Sequence, residues 1–370
     1  GAGADVHVCD ARDGVAAAFA AHGGTACATV AACALVGLSA ASASAANLLT
    51  PPPGQVFFGV SDTGKIDGFS SFATAVGKHP AVIETFHPFG NSLPKAIKRW
   101  QAAQARPVLH ISTADPNTLQ ELITPAQIAR GAGDDYLLSL NGTLADAGIR
   151  AYIRPLGEPN RCLNAWTAID CTGHQRGGEH TTYWYKQAFR RIYIVTHGGG
   201  TVDQINAKLA AINLPPLAPR KFTPSYLPAA PIAVIWSPLP VGSPGVRANR
   251  PAHYYPGNAY TDWVGTDLYS NDASFTAANA FYNRFRGKPF CFAEWGVKDS
   301  DNPGFVKKLF RFVRQRKRTK MFVYYQDFGS SNPYRIQNFP RSQAVLQRNL
   351  RQSRFPEFAP FAPGTLTPAG

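Results

Sequence analysis

Two stretches carry the reading of the fold: Tyr152-Ile153-Arg154-Pro155-Leu156-Gly157-Glu158-Pro159-Asn160 and Lys288-Pro289-Phe290-Cys291-Phe292-Ala293-Glu294-Trp295-Gly296. Each is a short apolar run bounded by Gly or Pro, and each ends on an acid. Runs of this length and composition read as strands buried on both faces. Working outward, Gln55–Val60, Ala81–Phe86, Pro107–Ser112, Ile232–Trp236, Trp263–Tyr269 and Lys320–Tyr325 have the same character. With Arg150–Leu156 and Lys288–Ala293 they make eight. Helical patterns lie between them at Leu93–Gln104, Thr181–Thr196, Ser274–Phe285 and Gly304–Arg318. Alternation of this kind predicts an α/β chain folded as a (β/α)8 TIM barrel. A doubly wound sheet would want a Gly-rich phosphate loop after the first strand. Gly59-Val60-Ser61-Asp62-Thr63-Gly64 has neither dinucleotide nor Walker spacing.

In such a barrel, reactive groups gather at the C-terminal ends of the strands. Four acids break apolar runs there: Glu84, Glu158, Asp267 and Glu294. Two carboxylates facing one cavity suit glycoside cleavage, one protonating the leaving oxygen while the other attacks the anomeric carbon.

The same residues resemble glycoside hydrolase family 26, retaining barrel enzymes best known as β-mannanases. The likeness runs from Gln55 to about Leu350. Arg154-Pro155-x-x-Glu158-x-Asn160 is similar to the family's acid/base motif, and Ala233 to Pro238 to its fifth strand. Tyr255-Pro256-Gly257 through Asp262-Trp263-Val264-Gly265-x-Asp267-x-Tyr269 matches its sixth-strand signature, and Lys288 through Glu294-x-Gly296 its nucleophile motif. The resemblance implies that Glu158 is the general acid/base and Glu294 the nucleophile. It also implies that Tyr269 bonds the nucleophile, while Arg154 and Asp267 brace the site. Two departures bear on the substrate: Gly157 stands where family mannanases carry His, and Leu163 where an aromatic is expected. Mannan, a β-glucan, a β-xylan and an unusual bacterial polysaccharide are all alternatives for the substrate. Trp166, Trp236, Trp295 and Tyr325 are candidates for stacking on sugar rings, and His110 for a polar contact. The mechanism calls for no cofactor or metal.

The chain has 370 residues, 45% of them hydrophobic and 12% aromatic, and a formal charge of +14. Eight basic residues lie between Lys307 and Lys320. Val306, Leu309, Phe310 and Val313 give that segment one apolar helical face. A patch for nucleic acid or an acidic polymer is one reading. The solvated face of a packed helix is favoured, because no stacking aromatics are interleaved with the charges as single-strand binders require. The expected partner is therefore a polysaccharide and not nucleic acid, and the expected state is a monomer.

Residues 1–46 read as a signal peptide or a disordered Ala-rich extension. Ala28 to Ala45 is small and apolar and ends Ala43-Ser44-Ala45, like an export cleavage site. The barrel is assigned to residues 47–352 and a Pro-rich tail to 353–370, without packing from about Phe355. After signal removal no membrane segment is expected, and the product is secreted. Cys9, Cys27 and Cys33 fall in the leader, and Cys291 reads as a core residue. Cys162 and Cys171 read as a disulfide, with a zinc site using His174 and His180 as the rival. The rival reading of the whole chain is a carbohydrate-binding barrel without catalysis. A more distant one is a surface protein holding an anionic polymer through the basic helix.

Overall fold

In a computed structural model that describes residues 48–62, 66–221, 224–326 and 333–361, eight parallel strands close into one barrel. They are β1 (Phe57–Asp62), β2 (Val82–Pro88), β3 (Arg106–Ser112), β4 (Ala151–Pro155), β5 (Ile232–Trp236), β6 (Trp263–Tyr269), β7 (Phe290–Gly296) and β8 (Thr319–Tyr325). Neighbours in sequence are neighbours in the barrel, and β8 returns to β1 with Phe57 opposite Met321. The expected strands are all present, though β7 runs three residues further than its apolar run suggests, to Gly296. Its carboxylate is accommodated inside the mouth, so polarity there does not end the strand.

Period-2 alternation divides the strand residues between two cores. Phe57, Val82, Val108, Tyr152, Ala233, Ile235, Trp263, Cys291, Met321 and Val323 fill the barrel interior. Phe58, Ile83, Leu109, Ile153, Val234, Trp236, Val264, Phe290 and Phe322 face outward beneath the helices. β7 breaks the alternation at one place. Thr266 pairs with Phe292 and Asp267 with Glu294, so Ala293 is an extra residue opposite β6. A bulge of this kind re-aims the side chains that follow it. It turns Glu294 to the interior and Trp295 to the outer layer, against Phe305, Phe322 and Tyr324.

The helix Pro303–Gln315 shows why the basic run folds as it does. Asn302 caps it by accepting from Phe305 N at 2.9 Å, and Pro303 starts it without an N–H to waste. Val306, Leu309, Phe310 and Val313 are buried on the barrel, while Lys307, Lys308, Arg311 and Arg314 are exposed. The helix stops three residues short of Arg318. That arginine instead stacks 3.8 Å from the Tyr282 ring centroid and donates to Phe285 O and Lys288 O at 3.1 and 2.9 Å.

The tail departs from expectation. Phe355, Ala359 and Phe361 are buried, and Pro360 O accepts from Arg106 Nε at 3.0 Å. Arg106 Nη1 also reaches Leu49 O at 2.9 Å and Tyr152 Oη at 3.1 Å. Residues 48–50 and 355–361 thus close the barrel floor, because an open barrel end would leave Phe57, Tyr152 and Trp263 wet. Segment 1–46, with Cys9, Cys27 and Cys33, lies outside the described residues, as does the chain beyond Phe361. Among the described residues no helix is long and apolar enough to cross a membrane.

Candidate active site

Inward-facing positions near the C-terminal ends of the strands make a polar layer above the apolar interior. Arg154 of β4 occupies its centre, fully buried. Its Nε donates to Ser237 Oγ at 2.7 Å and its Nη1 to Glu84 Oε1 at 2.9 Å. The same guanidinium donates to Glu294 Oε1 and Asp267 Oδ2. Asp267 Oδ1 accepts from Glu294 N at 2.9 Å, so one carboxylate holds both the guanidinium and the backbone of the neighbouring strand. Glu294 Oε2 accepts from Tyr269 Oη at 2.5 Å. Both oxygens of Glu294 therefore have a fixed donor.

One guanidinium among three buried carboxylates cannot neutralise them all. Burial, opposed by Arg154 and reinforced by Glu294, pushes the Glu84 carboxyl up to about 8. Burial alone would disfavour the Arg154 cation, but Asp267, Glu294 and Glu84 hold it charged. His110 is pushed well below its ordinary value by burial and then by Arg154. It is neutral, with Nδ1 facing Arg154 Nη1 at 3.2 Å as acceptor, which leaves the proton on a buried Nε2 that has no partner among the described residues. Glu84, His110 and Glu294 place ligand atoms within 4.8 Å of one another, close enough for a cation. Arg154 Nη1 already contacts all three, so the guanidinium fills the position a metal would take.

Glu158 lies beyond the end of β4, on a turn in which Leu156 and Glu158 have φ of 50° and 47°. That left-handed backbone costs about 1 kcal/mol or more per non-Gly residue, and several bonds hold it. Glu158 N donates to Ser237 O at 2.8 Å, Trp166 Nε1 to Gly157 O at 2.9 Å, and Asn164 Nδ2 to Glu158 O at 2.9 Å. Burial first, and the charge of Glu294 second, raise the Glu158 carboxyl, with Arg161 and Arg154 opposing. Arg161 Nη1 reaches Glu158 Oε2 at 3.2 Å. Gly157 has a reason within this chain: a Cβ there would sit 3.0 Å from Arg154 Cζ, Nε and Nη2. A side chain added there would press on the central guanidinium, which would have to shift to accept it.

Several expected ring contacts are corrected. Trp295 and Trp236 are both fully buried outside the barrel, Trp236 against Tyr255, Phe281 and Phe285, and neither can meet a sugar. Trp166 is buried too, and its indole N–H braces the Glu158 turn. Tyr325 does stand at the mouth, 6.0 Å from Tyr269 and 5.0 Å from Tyr334 between ring centroids. Phe86, 39% exposed and 5.1 Å from His110, extends this wall and was not expected. It follows Glu84 by two positions and so shares its face, a signal that alternation could have supplied. Ser237, Tyr334 and Arg161 were likewise missed. Cys162 and Cys171 form a disulfide, which rules them out as zinc ligands. His180 instead bonds Glu121 at 2.7 Å, and His174 bonds Thr172 at 2.8 Å.

By sequence, no family model and no curated protein matches the chain. By structure, it is similar to GH26A from a Muricauda species, with a TM-score of 0.56, 14% identity and coverage of 87% of this chain and 96% of that one. A modular endo-β-1,4-mannanase from Cellulomonas fimi aligns with a TM-score of 0.53 and 16% identity over 84% of this chain and 74% of its own. A β-mannanase from a symbiotic protist of the termite Reticulitermes speratus aligns with a TM-score of 0.51 and 12% identity, over 83% and 94%. The chain thus carries the (β/α)8 fold of glycoside hydrolase family 26 structures.

Proposed function

We propose that the chain is a retaining endo-β-glycanase that cleaves a β-linked polysaccharide by double displacement. The observation that carries this reading is the contrast between two acids at one barrel mouth. Glu294 has a donor on each oxygen, from Tyr269 and Arg154, as suits an ionised nucleophile. Glu158 is raised by burial and by Glu294, as suits a group that must hold a proton.

In the first step a Glu294 oxygen bonds the anomeric carbon while Glu158 gives its proton to the leaving oxygen, and the glycosidic C–O bond breaks. In the second, ionised Glu158 takes a proton from water, whose oxygen displaces Glu294 from the sugar. Arg154 and Asp267 fix the direction of Glu294. Tyr325 and Phe86 offer ring faces to the sugar. The neighbours' action on β-mannan makes mannan the first polymer to try, although the space imposed by Gly157 alters the contacts next to the acid. An exported location fits a Cys162–Cys171 bridge, which persists where the surroundings are oxidising.

The test is release of reducing ends from mannan, galactomannan, mixed-linkage glucan and xylan by wild type, Glu294→Gln and Glu158→Gln. Glu294→Gln is expected to lose hydrolysis, and Glu158→Gln to slow by about 10²–10⁴-fold. NMR of the first products should show the β-anomer. An α-anomer, or Glu294→Gln as active as wild type, would sink the mechanism.

A further inference from the structure

Arg161 is an unusual neighbour for a general acid. A cation 3.2 Å from Glu158 Oε2 favours the ionised carboxylate and so opposes protonation of a leaving group. Its side chain is 44% exposed. Of its five guanidinium N–H donors, only one side-chain bond is spent among the described residues, the one to Glu158.

Its position is fixed. The adjacent Cys162 is bridged to Cys171, Arg161 N donates to Glu158 O at 3.0 Å, and Cys162 N donates to Ser243 O at 2.7 Å. Ser243 N returns a bond to Asn160 O at 2.8 Å, and the Asn160 side chain exchanges two bonds with Leu239. The loop that carries Arg161 is thereby joined to the loop after β5. That second loop and the helix Phe275–Arg284 enclose a groove of about 640 Å³. Its floor includes Phe281, Phe285 and Pro251, its rim bears Arg247, Arg250 and Arg284, and its lining holds no carboxylate. All three rim arginines are exposed. Leu163, 73% exposed, offers no ring on this side of the acid, so recognition here falls to charge.

Resting on the glycanase reading above, we infer that the substrate is an acidic β-glycan: Arg161 binds a uronate carboxylate beside the scissile bond, and the arginine-rimmed groove holds the chain beyond it. An incoming carboxylate occupies the free donors of the guanidinium and offsets its effect on Glu158. A neutral glycan leaves that effect in place. The exposed Val241 and Val246 of the lining offer apolar contact to the sugars while the rim receives their charges, and the overall +14 steers the polyanion inward.

β-1,4-Mannuronan and β-1,4-mannan differ only in whether C6 is a carboxylate or a hydroxymethyl, which makes them the pair to compare. Initial rates are measured for wild type, Arg161→Gln and the double variant Arg250→Gln/Arg284→Gln, with binding of both polymers to Glu294→Gln. Wild type is expected to prefer mannuronan by about tenfold or more, as for a charge-assisted hydrogen bond, with the preference shrinking as salt rises. Arg161→Gln should bring the ratio near one, a change that general damage to the loop would not produce because both polymers share it. The double variant should raise KM for long mannuronan and leave kcat in place. Preference for neutral mannan, a ratio unmoved by Arg161→Gln, or binding of neither polymer overturns the inference. Mannan cleavage without charge preference sinks this inference and spares the glycanase reading. Tight, Arg161-dependent binding of mannuronan without turnover does the reverse.

Discussion

Replacing Glu84 with Gln keeps the shape of the side chain and removes its proton chemistry, which probes how three buried carboxylates share Arg154. Glu84 is fully buried, its Oε1 accepts from Arg154 at 2.9 Å, and its Oε2 meets no partner among the described residues. With its carboxyl pushed up to about 8 by burial, chiefly, roughly nine molecules in ten hold that proton at pH 7. The folded value lies above the unfolded one of 4.5, so the folded state binds the proton more tightly. Stability is therefore fullest below the unfolded value, falls as pH climbs toward 8, and levels off beyond it. At about 1.4 kcal/mol per pH unit, the loss reaches at most about 5 kcal/mol. The Glu84→Gln protein has no such proton to lose. Urea unfolding at pH 5, 7 and 9 should find the two proteins within about 1 kcal/mol at pH 5 and the variant ahead by several at pH 9. An ionised Glu84 standing in a permanent pair with Arg154 predicts the opposite, a loss of about 3–5 kcal/mol on substitution. Parallel stability curves, or a variant weaker than wild type at pH 9, would refute the reasoning.

In the proposed mechanism the raised Glu158 carboxyl sets the alkaline side of the activity profile. Hydrolysis needs it protonated, so kcat/KM should fall as pH rises through a value above the ordinary carboxylate range, and Glu158→Gln should abolish that limb. Gly157→Ala presses a methyl on the Arg154 guanidinium at 3.0 Å and should slow hydrolysis about 10–100-fold while circular dichroism stays unchanged. Replacing Cys162 and Cys171 together by Ser opens a loop with a sequence separation of 9. A cost of about 2–3 kcal/mol in urea unfolding is expected. Trp236→Ala should cost about 3–5 kcal/mol and leave relative rates on different polysaccharides alone; a changed preference would put that ring in the cleft after all.

The sequence made the barrel and most of its polar layer legible for one physical reason. An acid in an apolar run is expensive unless it has work or a partner, so Glu84, Glu158, Asp267 and Glu294 stood out. Trp236 was misjudged although the signal existed, since Ala233, Ile235 and Ser237 share the inward face and Trp236 cannot. Trp295 was misjudged without such a signal, because the bulge at Ala293 depends on pairing with two other strands. Arg161 follows a turn with left-handed Leu156 and Glu158, a conformation their side chains do not advertise. The floor segment escaped notice because Phe355, Ala359 and Phe361 are buried there as isolated residues in a Pro-rich stretch, with no period to detect.

The charge balance of the polar layer connects its resting state to the proposed chemistry. Burial, opposed by Arg154 and reinforced by Glu294, raises the Asp267 carboxyl well above its ordinary value, while the Arg154 guanidinium and Glu294 N each donate to it. Taken as ionised beside the nucleophile of the proposed mechanism, and with Glu84 protonated, it leaves the layer one charge negative. A negative layer favours the positive charge that develops on the sugar ring in an oxocarbenium-like transition state. Once Glu294 has bonded the anomeric carbon, its charge is consumed, and the Arg154–Asp267 pair left behind is neutral. Burial under a bound sugar is costly for an unbalanced charge and much less so for a hydrogen-bonded pair. The layer is therefore least penalised at the covalent stage. A third acid held ionised at Glu84 would remove that advantage by keeping the layer negative throughout, which is how the protonation of a residue that never touches the reacting bond would matter to the proposed reaction.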